Sequence, residues 1–390
     1  MLRILHLADL HLGYRPSKSD IPKQVFDDRD KVLEQAVDIA LQQGVHLAII
    51  AGDLFDNHKP DEGIVEKTIQ CLGRLVQNGV VCITVPGNHD ELTYPDCVYH
   101  TYKLRWPGIL VTSRVPKVVY SGIINGVHVN VCAMAYVGGE TNVHEPLRDI
   151  PECTNESVNI AALHGTVEGY KDDERSMRID LRVLSRAGYD YVALGHLHVS
   201  KRYEERRTVA YYPGMIAGKG FWDPGVGYVS LIELQSGQLD IKEHRMAVPL
   251  WHQTEVDVSS CNTYEDLISV CKKRLEQLPN PEQFVEQISL YGFRQFEIPW
   301  DRLQAELAGW CRYVDLLDCT EGFSEEYLKT IEQEKTIRGV FVRRLRAKNE
   351  MCKDDHQRRL LQRAMVLGIQ AFRDSGGDEE WQRLLSRGSD

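Results

Sequence analysis

The chain has 390 residues, a formal net charge of −11, 43% hydrophobic and 26% charged residues. That length allows two or three domains of roughly 100–200 residues, and the composition is that of a globular protein rather than a disordered one. No apolar run approaches the roughly 18–20 residues of a membrane span, and the acidic balance argues against holding a polyanion by bulk charge alone.

The first apolar stretch is too short for a signal peptide and runs straight into polar residues, so a cytoplasmic location is expected. The ten cysteines are scattered and form no C-x-x-C pair. They read as reduced structural thiols, not as a disulfide or zinc framework.

In chain order, Leu2–Leu7 is a buried strand that gives way to Asp9-Leu10-His11. A loop with Pro16 and Pro22 follows, then a helix from about Asp28 carrying Val32, Leu33, Ala36, Val37 and Ala40 on one stripe, with Gly44 at its end. The strand 46–51 leads into Gly52-Asp53-Leu54-Phe55-Asp56. A second helix, about Asp61 to Asn78, stops at Gly79, and the strand after it exits through Pro86-Gly87-Asn88-His89-Asp90. This is β-α-β-α-β within 90 residues, which implies parallel strands with crossover helices.

Strands at 117–124 and 127–136 meet at Asn125-Gly126, a strong hairpin signal. A polar stretch precedes the strand 158–163, which ends at His164-Gly165. After a long loop holding Tyr170, Lys171 and Arg175, and a helix, strand 191–194 ends at Gly195-His196-Leu197-His198. Strands at 208–212, 226–234 and 239–245, the last two joined at Ser236-Gly237, complete an expected two-sheet α/β sandwich over residues 1–245.

Beyond Pro249 the pattern is strand 251–258, helix 263–277, strand 284–291, helix 299–309 and strand 311–318, a compact βαβαβ unit over 249–323. From Ser324 it turns helical through 324–390, with Trp381, Leu384 and Leu385 suited to one last amphipathic turn. The run from Lys335 to Arg363 is locally basic: Arg338, Arg343, Arg344, Arg346, Lys348, Lys353, Arg358 and Arg359 face only Glu350, Asp354 and Asp355. Such a run is either a solvated helix face or a surface for a partner or DNA.

Five strands thus end in side chains that a buried strand has no need of. A lone Gly-Asp or His-Gly is an ordinary turn, and His6, His46, His100, His128, His244 and His252 read as structural or surface histidines. The ordered set Asp9-x-His11, Gly52-Asp53, Gly87-Asn88-His89-Asp90, His164-Gly165 and His196-x-His198 is different. Strand ends at the carboxyl edge of α/β sheets are where sites assemble, and one shared metal site accounts for all five.

Asp, Asn and His, with no thiolate, suit Mn²⁺ or Fe²⁺, suit Zn²⁺ less well and Ca²⁺ badly. Residues i and i+2 share a strand face, so Asp9 and His11, like His196 and His198, can aim together. Asp53 can bridge two metals through its two oxygens, and paired metals about 3.5–4 Å apart are a recurring solution for displacing a phosphate ester. His89, next to Asn88, borders the metals as a candidate acid for the departing oxygen.

This ordered set resembles the calcineurin-like metallophosphoesterase superfamily. The resemblance implies one metal held by Asp9, His11, Asp53 and His198, a second by Asp53, Asn88, His164 and His196, and His89 as the acid. The flanks Ala8-Asp9-Leu10-His11-Leu12-Gly13-Tyr14, Gly52-Asp53-Leu54-Phe55-Asp56 and Tyr212-Pro213-Gly214 are similar to the SbcD-type DNA double-strand-break repair nucleases.

That narrower resemblance implies a Mn²⁺-dependent 3′–5′ exonuclease and endonuclease, working with an SbcC-type SMC-like ATPase and commonly dimeric. It also implies a capping domain at 249–323 and an ATPase-docking region at 324–390. Asp56 stands where many members have a second histidine assisting the acid, and Met215 where Ser is common. Asn57-His58 after Asp56, instead of Arg-Gly, argues against a phosphoprotein substrate. The alternatives are a phosphodiesterase for cyclic nucleotides or other small esters, with the second domain closing a pocket, and a non-catalytic interaction subunit, against which every ligand position is filled.

Overall fold

The computed structural model describes the chain except residues 18–19, 139–144, 155, 169–175, 236, 262, 295, 324, 353 and 375–390. Tyr170, Lys171, Arg175, Ser236, Ser324, Lys353, Trp381, Leu384 and Leu385 therefore lie outside the described residues. The chain divides into two compact units, Met1–Trp251 and His252–Asp390.

The first unit holds two six-stranded sheets. One contains β1 (Leu2–Leu7), β2 (Leu47–Ala51), β3 (Val81–Val85), β4 (Ile109–Leu110), β13 (Tyr228–Gln235) and β14 (Gln238–Arg245), in the order β14-β13-β1-β2-β3-β4. The other contains β5 (Lys117–Ile124), β6 (Val127–Ala133), β7 (Val158–His164), β10 (Tyr191–Gly195), β11 (Lys201–Glu205) and β12 (Thr208–Tyr212), in the order β11-β12-β10-β7-β6-β5. β8 (Thr166–Val167) and β9 (Arg178–Ile179) form a small parallel pair apart from them. β1, β2 and β3 run parallel in the first sheet and β7 and β10 in the second, as the early β-α-β-α-β rhythm predicts.

The near-continuous apolar character of β7 and β10 follows from burial on both faces. Ile160, Ala162, Tyr191 and Ala193 join Ile4 and Ile49 of the first sheet in the interior between the sheets. Their alternate neighbours Ala161, Leu163, Val192 and Leu194 pack with Leu184 of helix Leu181–Ala187 on the outer side. Helix Val32–Gln42 buries the predicted stripe, and helix Glu62–Gln77 buries Val65, Leu72 and Leu75. Asp61 caps the second by accepting from Gly63 N at 2.9 Å, a contribution of about 1 kcal/mol.

The expected single helix from about Asp28 is instead two, Lys23–Arg29 and Val32–Gln42. Between them the Asp30 carboxylate turns away to accept from Gly13 N at 3.0 Å and Arg15 Nη1 at 2.8 Å. Such side-chain bonds compete with helix continuation. β11 was not expected from Lys-Arg-Tyr-Glu-Glu, which carries no apolar alternation; it is an edge strand paired antiparallel to β12, where charge suits solvent.

The second unit contains the expected βαβαβ arrangement. β15 (Leu250–Asp257), β16 (Phe284–Phe293) and β17 (Tyr313–Glu321) form a three-stranded sheet, with helices Tyr264–Leu275 and Trp300–Leu307 packed through Leu267, Cys271, Leu303 and Leu307. Helices Glu325–Gln333, Ile337–Met351 and Asp355–Asp374 follow, with Ile331, Val342 and Ile369 in their own core. Part of the basic run is internally neutralised: Arg346 meets Glu332 at 2.9 Å and Arg338 pairs with Glu334. Among the described residues no helix is long and apolar enough to cross a membrane, and the ten cysteines are free thiols.

Candidate metal centre

The carboxyl ends of β1, β2 and β3 in one sheet, and of β7 and β10 in the other, deliver nine polar side chains to one place. Locally this takes unusual backbone. Asp9, His11, Asp53 and His196 all have positive φ, at 55°, 44°, 48° and 105°, a conformation costing about 1–3 kcal/mol per non-glycine residue and typical of functional sites. The exits of β1 and β2 are laced together, with Asp9 N donating to Gly52 O at 3.1 Å and His11 N to Asp53 O at 3.0 Å.

Two glycines are dictated by close approach. A Cβ on Gly52 would lie 2.0 Å from His164 Nδ1, and one on Gly87 would lie 2.3 Å from Asp53 Oδ1.

The side chains form two linked groups. In the first, His11 Nε2 and His198 Nε2 are 3.1 Å apart, and His11 Nε2 is 3.7 Å from Asp53 Oδ2. An Asp9 carboxylate oxygen lies within 4.8 Å of a ring nitrogen of His11 and of His198, and both Asp9 oxygens accept from His196 N at 3.0 Å. In the second, the Asn88 side-chain oxygen is 2.9 Å from His164 Nε2 and 3.0 Å from His196 Nδ1, with His164 Nε2 3.4 Å from Asp53 Oδ2. Asp53 touches both groups. The sets Asp9–His11–His198, Asp9–Asp53–His164 and His11–Asp56–His89 each have three ligand-type atoms within 4.8 Å of one another.

The outer ring nitrogens of His164 and His198 are held by hydrogen bonds from the protein, and that of His11 faces a carboxylate. His164 Nδ1 donates to Ala51 O at 2.9 Å, which leaves Nε2 with its lone pair directed into the cluster. His11 Nδ1 faces the Asp56 carboxylate at 3.3 Å, and His198 Nδ1 faces the Asp223 carboxylate at 2.5 Å.

Asp9, Asp53, His11 and His164 are at most 2% exposed, and among the described residues neither aspartate pairs with a lysine or arginine. Burial pushes the Asp9 carboxyl up to about 7 and the His11 imidazole down to about 3. Burial also opposes Asp53 ionisation, but the surrounding His164, His11 and His89 outweigh it and hold that carboxyl below the usual range. His164 is the converse: burial lowers it, and Asp53 raises it to about 9. Two buried carboxylates, inward-facing imidazole nitrogens and an amide oxygen are a donor set that divalent cations fit.

Asp56 and Met215, the two departures from the family pattern, are placed as follows. Asp56 lies beside His89, but its carboxylate faces His11 and Lys219 Nζ (3.0 Å); it is the main-chain oxygen of Asp56 that accepts from His89 Nδ1, at 3.0 Å. Met215 is fully buried, its sulfur 3.7 Å from Arg29 Nη2. Residues to which the sequence reading assigned no role also shape the site. Asp90 accepts from Gly87 N (2.8 Å), Phe55 N (3.1 Å) and Tyr99 Oη (2.8 Å), tying the β3 exit to the β2 exit. Its signal was its place in the Gly-Asn-His-Asp run; Asp223, 25 residues beyond His198, had none.

Residues 2–200 match the family model for calcineurin-like phosphoesterases. The metallophosphoesterase YhaO of Bacillus subtilis is 23% identical over 361 residues, 90% of this chain and 82% of its own length. The DNA double-strand break repair protein Mre11 of Methanopyrus kandleri is 27% identical over 230 residues, 55% of this chain and 48% of that one. Mre11 of Saccharolobus solfataricus is 27% identical over 206 residues, 52% of this chain and 51% of that one. The chain thus spans about half the length of these two Mre11 relatives. With its α/β sandwich and a donor set suited to divalent metal, the chain belongs to the calcineurin-like phosphoesterase family of metal-dependent hydrolases.

Proposed function

We propose that the chain is a dinuclear-metal DNA nuclease of the SbcD type, a 3′–5′ exonuclease and endonuclease acting in double-strand-break repair. The observation that carries this is the pair of linked donor groups sharing Asp53, which matches a two-ion site. In this reading Asp9, His11, Asp53 and His198 hold one ion, and Asp53, Asn88, His164 and His196 the other. Mn²⁺ suits this mixture of oxygen and imidazole donors, with no thiolate among them. Likeness to the two Mre11 proteins supports DNA over a small ester.

The bound ions supply Lewis-acid charge to the phosphoryl oxygens and a nucleophilic water at neutral pH. The chain does the rest. His89 N donates to Asp53 Oδ1 at 2.8 Å, which fixes the residue beside the cluster. With Nδ1 donating to the Asp56 carbonyl, Nε2 is the atom that carries a proton to the departing alkoxide, a contribution of about 10²–10⁴-fold. Because the metals read phosphate, cutting is sequence-independent. Residues 249–323 act as the capping and DNA-contact domain, 324–390 as the region docking an SbcC-type ATPase, and the protein works as a cytoplasmic homodimer.

The test is degradation of end-labelled linear duplex DNA in Mn²⁺ by wild type and His89→Ala. Stepwise shortening from one end by wild type, slowed at least about 100-fold in the variant with metal content unchanged, is expected. Hydrolysis of a chromogenic phosphodiester but never of DNA, with or without the ATPase, would overturn the DNA reading and favour a small-ester phosphodiesterase.

A further inference from the structure

His198 and His11 meet Nε2 to Nε2 at 3.1 Å, and each turns its other ring nitrogen to a carboxylate. For His11 that carboxylate is Asp56, only a few residues past Asp53. For His198 it is Asp223, on the connection from Pro213 to Gly227 between β12 and β13. An ionised carboxylate at Nδ1 accepts that nitrogen's proton, fixes the ring's tautomer and orientation, and makes Nε2 a better electron-pair donor. His198 Nδ1 meets this condition with a hydrogen bond to Asp223, whereas Asp56 stands 3.3 Å from His11 Nδ1.

The connection carrying Asp223 is built to hold it there. Asp223 N donates to Gly220 O at 3.1 Å and Lys219 N donates to Asp223 O at 2.9 Å, closing a tight turn. From this turn Lys219 Nζ reaches the Asp56 carboxylate at 3.0 Å, so one cation sits against the acid that orients His11.

Behind the turn lies Arg29, 1% exposed. Its guanidinium donates to Gly218 O at 3.1 Å on the connection, and to Leu10 O and His11 O at 2.8 Å each on the exit of β1. A buried cation satisfied by main-chain oxygens from two segments fixes those segments to each other, because freeing any of the bonds leaves a charged donor buried without an acceptor. The His11 segment and the Asp223 segment are therefore clamped in register by one side chain.

We propose that Asp223 is a positioning residue of the metal centre. It holds His198 with Nε2 facing His11, and the Arg29 clamp keeps the segments that carry His11 and Asp223 in register. This rests on the reading of His198 and His11 as ligands of one ion.

The test measures Mn²⁺ binding to full-length protein by equilibrium dialysis, for wild type, Asp223→Ala, Asp223→Asn and His198→Ala, alongside the thermal midpoint of each metal-free protein. Asp223→Ala is expected to weaken one of two ions by about 10–100-fold and to leave the other ion and the metal-free midpoint near wild type. Asp223→Asn, whose amide oxygen still accepts from Nδ1–H, recovers part of that loss. It also carries the test should the alanine variant fail to fold, since it then shows a smaller, ion-selective loss.

Wild-type affinity for both ions in Asp223→Ala, with His198→Ala losing one, overturns the proposal and leaves the metal reading standing. Wild-type affinity for both ions in His198→Ala overturns the metal reading itself, and the proposal with it.

Discussion

Asp90→Ala is the perturbation whose consequence follows most directly from the geometry. The Asp90 carboxylate is fully buried and accepts from Gly87 N, Phe55 N and Tyr99 Oη. Truncation leaves three buried donors with no partner. A hydrogen bond to a charged group contributes about 1.5–3 kcal/mol, and a stranded buried donor costs about 1–3 kcal/mol. Burial raises the Asp90 carboxyl to about 6, so part of the gain from the bonds is already offset by desolvation of the charge. A net loss of about 3–6 kcal/mol results.

In a unit of this size each kcal/mol moves the thermal midpoint by about 2–4 °C, giving a fall of about 6–24 °C by differential scanning calorimetry. Asp90→Asn keeps the shape and accepts from some of the donors through its amide oxygen, so its midpoint should lie between the two. Since Gly87 and Phe55 flank the residues that carry Asn88, His89 and Asp53, bound Mn²⁺ should fall in the same order. An alanine variant that melts within about 2 °C of wild type would refute the reasoning.

Two further outcomes concern pH and metal. His6 is fully buried between the sheets, its Nδ1 2.8 Å from Tyr191 Oη, and burial lowers it to about 3. The unfolded chain takes up this proton near 6.5 while the native one does not. The His6 contribution is therefore complete above about pH 6.5 and is lost as pH falls toward 3, at up to about 1.4 kcal/mol per pH unit. His6→Gln should flatten the midpoint-against-pH curve between pH 7 and 4, and parallel curves would contradict this. Chelating the divalent ions should lower the midpoint of the wild type, and Mn²⁺ at about 100 times its dissociation constant should restore about 2.7 kcal/mol per ion; a midpoint indifferent to metal would count against a metal centre in the folded state.

What could be read along the chain was whatever local chemistry encodes. Apolar runs such as Val158–Leu163 and Tyr191–Leu194 are strands because both of their faces are buried. The side chains at their ends stand out because no core needs them. Asp9, His11, Asp53, Asn88, His89, His164, His196 and His198 were legible for that reason, and the structure brings them together. The break at Asp30 and the charged strand β11 were not legible, because a side chain bonding to distant Gly13 and an edge facing solvent leave no periodic trace.

Tertiary structure alone decided which atoms face inward. It turned the Asp56 carboxylate to His11 and only its carbonyl to His89. It brought Asp223 and Lys219 across from another segment, and placed Arg29 against the carbonyls of Leu10, His11 and Gly218. These contacts join residues up to 189 positions apart. Their chemistry comes from burial and hydrogen-bond direction, which exist only once the two sheets have closed on each other.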